Sequence, residues 1–365
     1  MDRRQFFRQA GIWGTLVPGT FLQSSGPAAN PVVPEGGIPQ GEEAYIDGRP
    51  RAVRRLEAVD HGIVLRSGDA PGDCDRLGAR DVWVFESEGH YYMHYDGAGP
   101  RGWLCCLATS DDLIHWTKRG PVLDFGSPDS PDSRSASYGT TFFDGERWYM
   151  FYLGTPHVSP APEFVPAFPY LTLRANGASP AGPWIKQPES RPFVPVPGTY
   201  YSATASPGQI VRSGEEYLMF FSASTSDPIF RTLGIARTRD LNGPWTPDPE
   251  PIVPMTEQIE NSSLYYDAET HLWYLFTNHV GIDSRGEYTD AVWMYRTDDL
   301  NHWNAEERTV VLDGRNCNWS RTIVGLPSVL RVGNRLAIFY DGREDPTDVG
   351  HMRRHIGLAW LELPR

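Results

Sequence analysis

A short aromatic strand pattern recurs five times along the chain, and this repeat limits the fold more than any other feature of the sequence. The copies read YYMHY, WYMFY, YLMFF, WYLFT and LAIFY, and they begin at residues 91, 148, 217, 273 and 336. Each copy follows another apolar run and a polar turn containing Gly, Asp or Asn, which are the residues that tight hairpin turns favour. The sequence therefore predicts five similar β-hairpins.

A third strand and a characteristic turn follow these hairpins, as in LATSDDLIHW, IARTRDLNGPW and MYRTDDLNHW, and a further short apolar stretch comes after the turn. Four strands in each of five units predict an all-β fold, a five-bladed β-propeller with four-stranded antiparallel blades around a central channel. The fifth copy stops after its third strand, so we expect a strand from about residues 45–66 to complete it. The single period predicts one domain over residues 30–365.

Because the turn recurs, its residues are expected to build the repeat rather than to carry chemistry. His115 and His302 occupy the same place in DDLIHW and DDLNHW, where they could otherwise be mistaken for catalytic histidines. The Trp that follows each of them is expected to pack within the fold and not to serve as a platform for a ligand.

The composition agrees with a turn-rich β protein and restricts the partners. The chain has 36 Gly, 32 Pro, 12 Trp and 17 Tyr, and its formal net charge is −13. Such a charge repels nucleic acid and anionic membranes, so neither is expected as a partner. The four cysteines show no metal-ligand spacing and are interpreted as structural, and no cofactor is expected. They are Cys74, Cys105, Cys106 and Cys317.

The first 29 residues have the pattern of an export signal. Arg3 and Arg4 are followed by two phenylalanines and a short, mildly apolar stretch, which resembles a bacterial twin-arginine signal. The alternative is an ordinary basic N-terminus. The pattern predicts an exported protein, periplasmic or extracellular, that folds before export.

The connections between the second and third strands are long and varied, whereas the hairpin turns are short. Long loops on a rigid scaffold are where binding residues concentrate, so we expect the pocket at the end of the channel that carries these loops. The innermost strands begin at the same end. Reading one position per unit gives Asp81, Tyr138, Ser206, Glu260 and, in the fifth unit, Arg321 or Thr322.

Asp81 and Glu260 are therefore expected to face each other across the channel from non-adjacent blades. Two converging carboxylates suit cleavage of a glycosidic bond, one as proton donor and the other activating water or attacking the sugar. The alternative is that both acids only cap turns or pair with Arg80 and Arg321. The residues expected to contact a substrate are Tyr138, Ser206, Asp227, His279, Arg321 and Asp96.

With RDVWVFESEGHYYMHY and ENSSLYYDAETHLWYLF in the first and fourth units, the chain resembles the five-bladed propeller glycoside hydrolases over residues 60–363. The resemblance is to family 43 above all, and to the related families 32, 62, 117 and 130. It implies that Asp81 is the general base and Glu260 the general acid of a glycosidase. The implied substrate is a plant or algal oligosaccharide or polysaccharide, with a furanoside such as an arabinofuranoside favoured.

Three departures from the family 43 pattern indicate a divergent branch. Ser206 stands where the family has a third Asp, for which Asp227 is the candidate replacement. The family's Pro after the base is Val82, and its Gly-Pro after the acid is Asn261–Ser262. Leu326 occupies the place where the family often has a metal-binding His, so no metal is expected at the channel.

Two other functions remain open from the sequence. A glycoside phosphorylase like those of family 130 shares the fold and needs basic residues to hold phosphate, for which the last long loop offers candidates. These are Arg343, Arg353, Arg354 and His351. The other alternative is a non-catalytic carbohydrate-binding propeller, which the missing third Asp keeps open.

Overall fold

The computed structural model of the protein describes residues 47–284, 286–348 and 350–363, and these residues are almost entirely β-structure. The segment 1–29, predicted to be an export signal, lies outside the described residues. Among the described residues the only helical segments are three 3₁₀ turns, at Pro71–Asp73, Met255–Glu257 and Ala305–Glu307, and none is long and apolar enough to cross a membrane. The strands are β1 (Arg54–Arg55), β2 (Val59–Leu65), β3 (Gly78–Ser87), β4 (His90–Gly99), β5 (Gly102–Ser110), β6 (Thr117–Pro121), β7 (Ser135–Phe143), β8 (Trp148–Thr155), β9 (Tyr170–Gly177), β10 (Trp184–Lys186), β11 (Thr204–Ser206), β12 (Ile210–Ser213), β13 (Glu216–Ser224), β14 (Arg231–Thr238), β15 (Thr246–Pro247), β16 (Ile259–Asp267), β17 (Leu272–Asp283), β18 (Gly286–Thr297), β19 (Thr309–Asp313), β20 (Val324–Val332), β21 (Arg335–Gly342) and β22 (His355–Leu361).

These strands form five antiparallel units that follow the sequence repeat. Unit 1 contains β3 to β6, unit 2 contains β7 to β10, and unit 3 contains β11 to β15. Unit 4 contains β16 to β19, and unit 5 contains β20 to β22 together with β2. Short parallel pairings of β5 with β7 and of β9 with β11 join the first three units into one 13-stranded sheet.

The start of the described chain holds units 4 and 5 together. Strand β1 pairs in parallel with β19 at the outer edge of unit 4. Strand β2 then pairs with β22 in unit 5, where Val59 lies opposite Trp360 and Leu65 lies opposite Ile356. The fourth strand of unit 5 therefore comes from the beginning of the described chain, while its other three come from the end.

The innermost strands are linked to one another by hydrogen bonds that run in cyclic order through the units. Small hydroxyl side chains take part because they fit where the inner strands crowd together, and each link joins one unit to the next. The links are Trp83 Nε1 to Thr141 Oγ1 (3.0 Å), Thr140 Oγ1 to the Gly208 carbonyl (3.0 Å), Gln209 N to Ser262 Oγ (3.2 Å), Val329 N to Ser263 Oγ (2.8 Å) and Val84 N to Ser328 Oγ (2.8 Å). The last link returns from unit 5 to unit 1.

Apolar side chains fill the spaces between neighbouring units, and the recurring turn supports them. Trp116 packs edge-on against Phe339, which joins unit 1 to unit 5, with the ring centroids 5.8 Å apart. His115 and His302 are both exposed, and each Nδ1 atom bonds to the Asp three residues earlier, at 2.7 and 2.6 Å. The two histidines therefore make the same turn contact, as expected for residues that build the repeat.

Candidate active site

Every innermost strand is interrupted at the same level. In units 1, 2, 4 and 5 the pairing register shifts through a β-bulge, and in unit 3 the strand breaks between Ser206 and Ile210. Such irregularities let a strand re-aim a side chain that regular pairing would hold in the sheet. Asp81 has φ of +48°, and Asn261 and Leu326 have +58° and +56°, so the bulges keep non-glycine residues in the left-handed region. Strain of this kind is common at functional sites.

The five interruptions surround one pocket. Each unit contributes a residue from its interruption or beside it, and the second and third strands, with the connections between them, contribute the remaining wall. The residues at the interruptions are Asp81, Tyr138, Ser206, Glu260, Asn261 and Leu326, while Val165, Pro166 and His351 come from the connections and Glu287 and Tyr288 from the start of β18. The connections of units 2 and 5 thus reach the same end of the molecule as Asp81 and Glu260, as expected. In units 1 and 4 the expected long connection is absent, because the second and third strands extend until only two residues separate them.

The structure brings five of the eight sequence-predicted site residues to this pocket. Asp81, Glu260, Tyr138, Ser206 and Asp96 all line it. Tyr138 and Ser206 are buried, and the Ser206 hydroxyl bonds to no described residue. That hydroxyl is therefore a free donor and acceptor within the pocket.

Asp227 does not reach the pocket, so its expected position as a replacement carboxylate is wrong. It is exposed, in a turn closed by a hydrogen bond from Thr225 Oγ1 to the Pro228 carbonyl (2.7 Å). Asp227 is not among the residues that line the pocket.

Arg321 is also outside the pocket, because the inner strand of unit 5 begins later than expected. The strand starts at Val324, and Arg321 is exposed and donates a hydrogen bond to the Gly314 carbonyl (2.9 Å). Thr322 bonds instead to the Pro346 carbonyl (2.9 Å). Leu326 takes the pocket position that was predicted for Arg321 or Thr322.

His279 is buried behind the pocket wall and does not line it. Its ring stacks on Trp293 with centroids 3.8 Å apart, and Nδ1 lies 3.0 Å from Arg49 and 3.2 Å from Asp290. Burial lowers the pKa of His279, so the ring is neutral at neutral pH. These contacts give His279 a structural position rather than the predicted substrate contact.

Glu260 shares an arginine with a second glutamate. Arg231 is almost fully buried and donates from Nη1 to Glu260 Oε1 (2.9 Å). Its other edge makes a two-point contact with Glu287, at 2.8 Å from both Nε and Nη2. The guanidinium also lies over the Phe168 ring, 5.2 Å from its centroid.

The pKa values of the two glutamates are consequently shifted in opposite directions. Burial raises the pKa of Glu260, and the charges of Glu287 and Asp81 add to this effect, whereas Arg231 opposes it. Glu287 is also partly buried, which raises its pKa, but its hydrogen bonds to Arg231 bring the pKa below the ordinary value. The bidentate contact explains the difference, because Glu287 receives most of the stabilisation that one guanidinium can provide. Glu260 is thus the glutamate that retains its proton to higher pH.

Asp81 is held by its backbone and by an arginine. Its N–H donates to Asp341 Oδ2 (3.2 Å), and Asp341 Oδ1 accepts a hydrogen bond from Arg354 Nη1 (2.9 Å). Arg80 Nη2 lies 3.5 Å from Asp81 Oδ1. Burial, with the charge of Arg80, lowers the pKa of Arg354 to about 10, so both arginines are charged at neutral pH.

His351 reaches the pocket from the last long connection. Its Nδ1 bonds to Arg80 Nη1, and since a guanidinium can only donate, His351 Nδ1 is the acceptor. Burial lowers the pKa of His351 well below its usual range, and Arg80 and Arg354 add to the shift. The neutral ring therefore carries its proton on Nε2. Arg80 also lies over the Trp103 ring, 5.4 Å from its centroid.

The pocket offers no arrangement suited to a resident metal ion. Leu326 has no metal-binding atom, and no group of three or more His, Cys, Asp or Glu among the described residues could hold an ion.

Several residues of the pocket were missed as site residues from the sequence. Arg231 and Glu287 lie in the segments expected to form the long connections of units 3 and 4, so those segments were recognised but the residues were not singled out. Arg80 was considered only as a partner of an acid, and His351 and Arg354 only as candidates for phosphate binding. A charge within a long loop beside an inner-strand acid is the signal that could have identified Arg231.

Comparison with known proteins shows which solved structures share this fold. No family model matches the sequence. A catalytic domain of a Coprinopsis cinerea family 62 α-L-arabinofuranosidase is similar in structure, with TM-score 0.61 and 13% identity over 84% of this chain and 97% of that one. A thermostable family 43 glycoside hydrolase gives TM-score 0.56 and 15% identity over 82% and 93% of the chains. A family 117 glycoside hydrolase produced by the marine bacterium Zobellia galactanivorans gives 0.58 and 14% over 83% and 90%.

One curated protein shows a local sequence similarity. A 1,2-β-oligomannan phosphorylase from Thermoanaerobacter is 41% identical over 56 residues, which are 14% of this chain and 19% of that protein. The match thus spans about a fifth of the relative's length. The three structures establish the fold, and the resemblance to these hydrolase folds predicted from the sequence is confirmed.

Proposed function

We propose that this chain, which has the fold of the glycoside hydrolases of families 43, 62 and 117, itself hydrolyses glycosidic bonds. Asp81 would act as the base and Glu260 as the acid. The observation that carries the proposal is that both carboxylates enter one pocket from bulged inner strands of non-adjacent units. A sugar bound between them would have an acid on one side of the scissile bond and a base on the other, which is the arrangement that glycosidases use.

The role of Glu260 is supported by its surroundings. A general acid must be protonated at the working pH, and burial together with two neighbouring carboxylates raises the pKa of Glu260. Glu287 takes the bidentate contact with Arg231, so the arginine does not hold Glu260 fully ionised. Glu260 protonates the departing oxygen and becomes a carboxylate, which Arg231 then stabilises.

The role of Asp81 is supported by its position beside a cation. Arg80 lies beside the carboxylate, and the contact between the Asp81 backbone and Asp341 fixes the bulge that directs the carboxylate into the pocket. An ionised carboxylate in this position can accept a proton from water or attack the anomeric carbon.

We also interpret the five units as the five blades of a single propeller. The cyclic hydrogen bonds between inner strands support this interpretation, since the link from Ser328 to Val84 returns from the fifth unit to the first. The strand β2, which completes unit 5, would then fasten the ring in the way that an N-terminal strand closes many propellers.

The proposed substrate is a carbohydrate, with a furanoside such as an arabinofuranoside favoured. The arabinofuranosidase among the similar structures supports this choice. The pocket wall also combines aromatic and hydroxyl groups suited to a sugar, including Tyr138, Tyr170, Tyr288 and Ser206. The arginines of the pocket are paired with carboxylates, which favours a neutral sugar over an anionic one.

A glycoside phosphorylase is the second candidate function. Arg80, Arg231, Arg354 and His351 all line the pocket, and the local similarity to an oligomannan phosphorylase points in the same direction. Phosphate would have to compete with Asp341 and Glu287 for these arginines, because Arg354 and Arg231 already bond to them. Hydrolysis is therefore favoured.

The test is a product analysis with and without inorganic phosphate. Purified protein would be incubated with arabinofuranosides, galactofuranosides, xylosides, fructans, agar fragments and β-1,2-mannans, with Asp81→Asn protein as the control. Release of free sugar without phosphate supports a hydrolase, and formation of a sugar 1-phosphate only with phosphate identifies a phosphorylase. Binding of a sugar without any product would identify a carbohydrate-binding protein and refute both enzymatic proposals.

We propose in addition that residues 1–29 direct the protein to the periplasm or the medium through the twin-arginine route. The paired Arg3 and Arg4 and the apolar stretch after them support this location. The substrate would then be met outside the cytoplasm.

A further inference from the structure

A second aspartate lies directly beside the proposed base. Asp96 is on β4, opposite Arg80 on β3, and the bulge after Arg80 places Asp81 next to it. Asp96 is 2% exposed, and its carboxyl lies close enough to that of Asp81 for the charge of Asp81 to raise its pKa. Ionised carboxylates can only accept hydrogen bonds, so two of them can bond to each other only if one carries a proton. Two neighbouring buried carboxylates also repel each other when both are ionised, so we expect the pair to hold one proton.

The surroundings assign this proton to Asp96. The backbone N–H of Tyr138 donates to Asp96 Oδ1, which leaves the other Asp96 oxygen to interact with Asp81. Arg80 is in contact with Asp81, while Asp96 is the more deeply buried of the two. Burial, together with the charge of Asp81, raises the pKa of Asp96 well above its ordinary range, and this outweighs the Tyr138 N–H and the charge of Arg80, which both lower it. The other titratable groups that face Asp96 are the Tyr138 phenol and the Cys105 thiol, and burial raises the pKa of both, so they remain neutral.

Asp81 has an unfilled position for such a donor. Its Oδ1 atom is buried and accepts no hydrogen bond from any described residue. A buried carboxylate oxygen that accepts no hydrogen bond destabilises the folded state. A proton held by the neighbouring carboxyl group would give this oxygen the hydrogen bond that it lacks.

We propose that Asp96 is a positioning residue, whose protonated carboxyl donates a hydrogen bond to Asp81 and holds that carboxylate in its orientation for catalysis. The proposal rests on the function of Asp81 proposed above. In family 43 the third carboxylate belongs to the position occupied here by Ser206, whereas in this chain the third carboxyl lies beside the base. In this role Asp96 acts on the reaction through Asp81.

The proton of Asp96 stays in place during the reaction. A proton of the attacking water passes to Asp81, the water oxygen bonds to the anomeric carbon, and the departing oxygen takes the proton of Glu260. Asp96 only adjusts the strength of its hydrogen bond as the charge on Asp81 disappears. Asp96 cannot itself act as the base, since it is already protonated.

Two substitutions separate this role from the alternatives. In Asp96→Asn the amide oxygen can accept from the Tyr138 N–H and the amide nitrogen can donate to Asp81, as the protonated acid does. We expect kcat within about tenfold of the wild-type value. Asp96→Ala removes the donor, and losing a hydrogen bond to a charged group should reduce kcat roughly 10- to 100-fold with little change in KM. The acid limb of its pH–rate profile should move to higher pH, because the ionised form of Asp81 is no longer favoured by a donor.

Infrared spectroscopy of the protein without substrate tests the proton independently of activity. The wild-type minus Asp96→Asn difference spectrum at neutral pH should contain the C=O band of a protonated carboxyl group, which shifts in D₂O. This measurement applies even if the proposed hydrolase function is wrong, and it does not require Asp96→Ala to fold.

The outcomes are distinct. Absence of the protonated-carboxyl band in the difference spectrum overturns the proposal whatever the protein's activity. If Asp96→Asn is as inactive as Asp81→Asn, an ionised Asp96 is needed and the proposal is also overturned. Full activity of a folded Asp96→Ala protein shows that Asp96 does not position the base. The band together with an active Asn variant and an impaired Ala variant establishes the role.

Discussion

The division of labour between Glu260 and Glu287 makes the sharpest prediction about this site. Glu260→Gln removes a proton donor but retains an oxygen that can accept the hydrogen bond from Arg231, so the pocket should keep its geometry. General acid catalysis contributes roughly 10²- to 10⁴-fold. This range corresponds to about 2.7–5.4 kcal/mol in the activation free energy. A substrate whose leaving group is another sugar should lose activity by this factor.

The loss should depend on the leaving group. An activated aryl glycoside departs readily as its anion and needs little protonation, so Glu260→Gln should retain most of its activity on that substrate. The informative quantity is the ratio of kcat/KM on the aryl glycoside to kcat/KM on the natural glycoside. We expect this ratio to rise by about the 10²- to 10⁴-fold that the acid supplies.

Glu287→Gln is the matched control, because Glu287 contacts the same arginine and is exposed to nearly the same extent, 23% against 20% for Glu260. Removing its charge weakens the bidentate contact and leaves Arg231 to Glu260. The pKa of Glu260 should fall, since Glu287 raises it and Arg231 lowers it. The basic limb of the pH–rate profile should therefore move to lower pH. On the acid side of the profile, where Glu260 is still protonated, the variant should show no difference between the aryl and the natural substrate in its loss of activity.

The assay is steady-state kinetics on both substrates from acid to alkaline pH for the wild type and the two variants. If Glu260→Gln is impaired equally on both substrates, Glu260 is not the acid. If Glu287→Gln alone shows the leaving-group dependence, the assignment of the two glutamates is reversed.

Four further predictions concern other parts of the protein. Asp81→Asn should abolish turnover of every substrate, aryl glycosides included, while product binding measured by calorimetry persists; measurable turnover would remove Asp81 from the mechanism. Ser328→Ala leaves a buried backbone N–H without its acceptor and should lower the free energy of unfolding by about 1–3 kcal/mol in urea, and an unchanged value would contradict the contact between units 5 and 1. The folded state keeps the Asp96 proton to a higher pH than the unfolded state does. Above about pH 3.9 the free energy of unfolding of the wild type should therefore fall, relative to that of Asp96→Asn, by up to about 1.36 kcal/mol per pH unit. If the two proteins instead show parallel curves of stability against pH, Asp96 is ionised. Replacing Arg3 and Arg4 by Lys should leave the protein in the cytoplasm by fractionation, and unchanged export would refute the twin-arginine assignment.

The sequence by itself determined the strands and their grouping. The alternation of aromatic and aliphatic residues, the polar hairpin turns and the repeated DDL-x-HW turn are local signals, and each acts within about ten residues. The structure accordingly forms hairpins at all five predicted places. Asp81, Tyr138, Ser206 and Glu260 were also found from the sequence, because they occupy equivalent positions at the start of an inner strand.

Only the tertiary structure decided what these residues contact. Arg231 is 29 residues from Glu260 and lies in the preceding unit, and Asp341 is 260 residues from Asp81. No local pattern encodes such pairs, because they form only when the inner strands come together around the pocket. The errors have the same origin. Asp227 is exposed in a closed turn outside the pocket lining, and the strand expected near Arg321 starts at Val324. Whether a loop residue points inward depends on how the connection packs against neighbouring units, which the local sequence does not specify.

The protonation states also belong to the tertiary structure. Asp81, Asp96 and Glu260 are ordinary acids in the sequence. Burial removes the water that would favour their charged forms, and the number of nearby cations and carboxylates then decides which acid retains a proton. The sequence thus determined which acids face the channel, whereas the packing of distant units around them decided which of those acids can donate a proton.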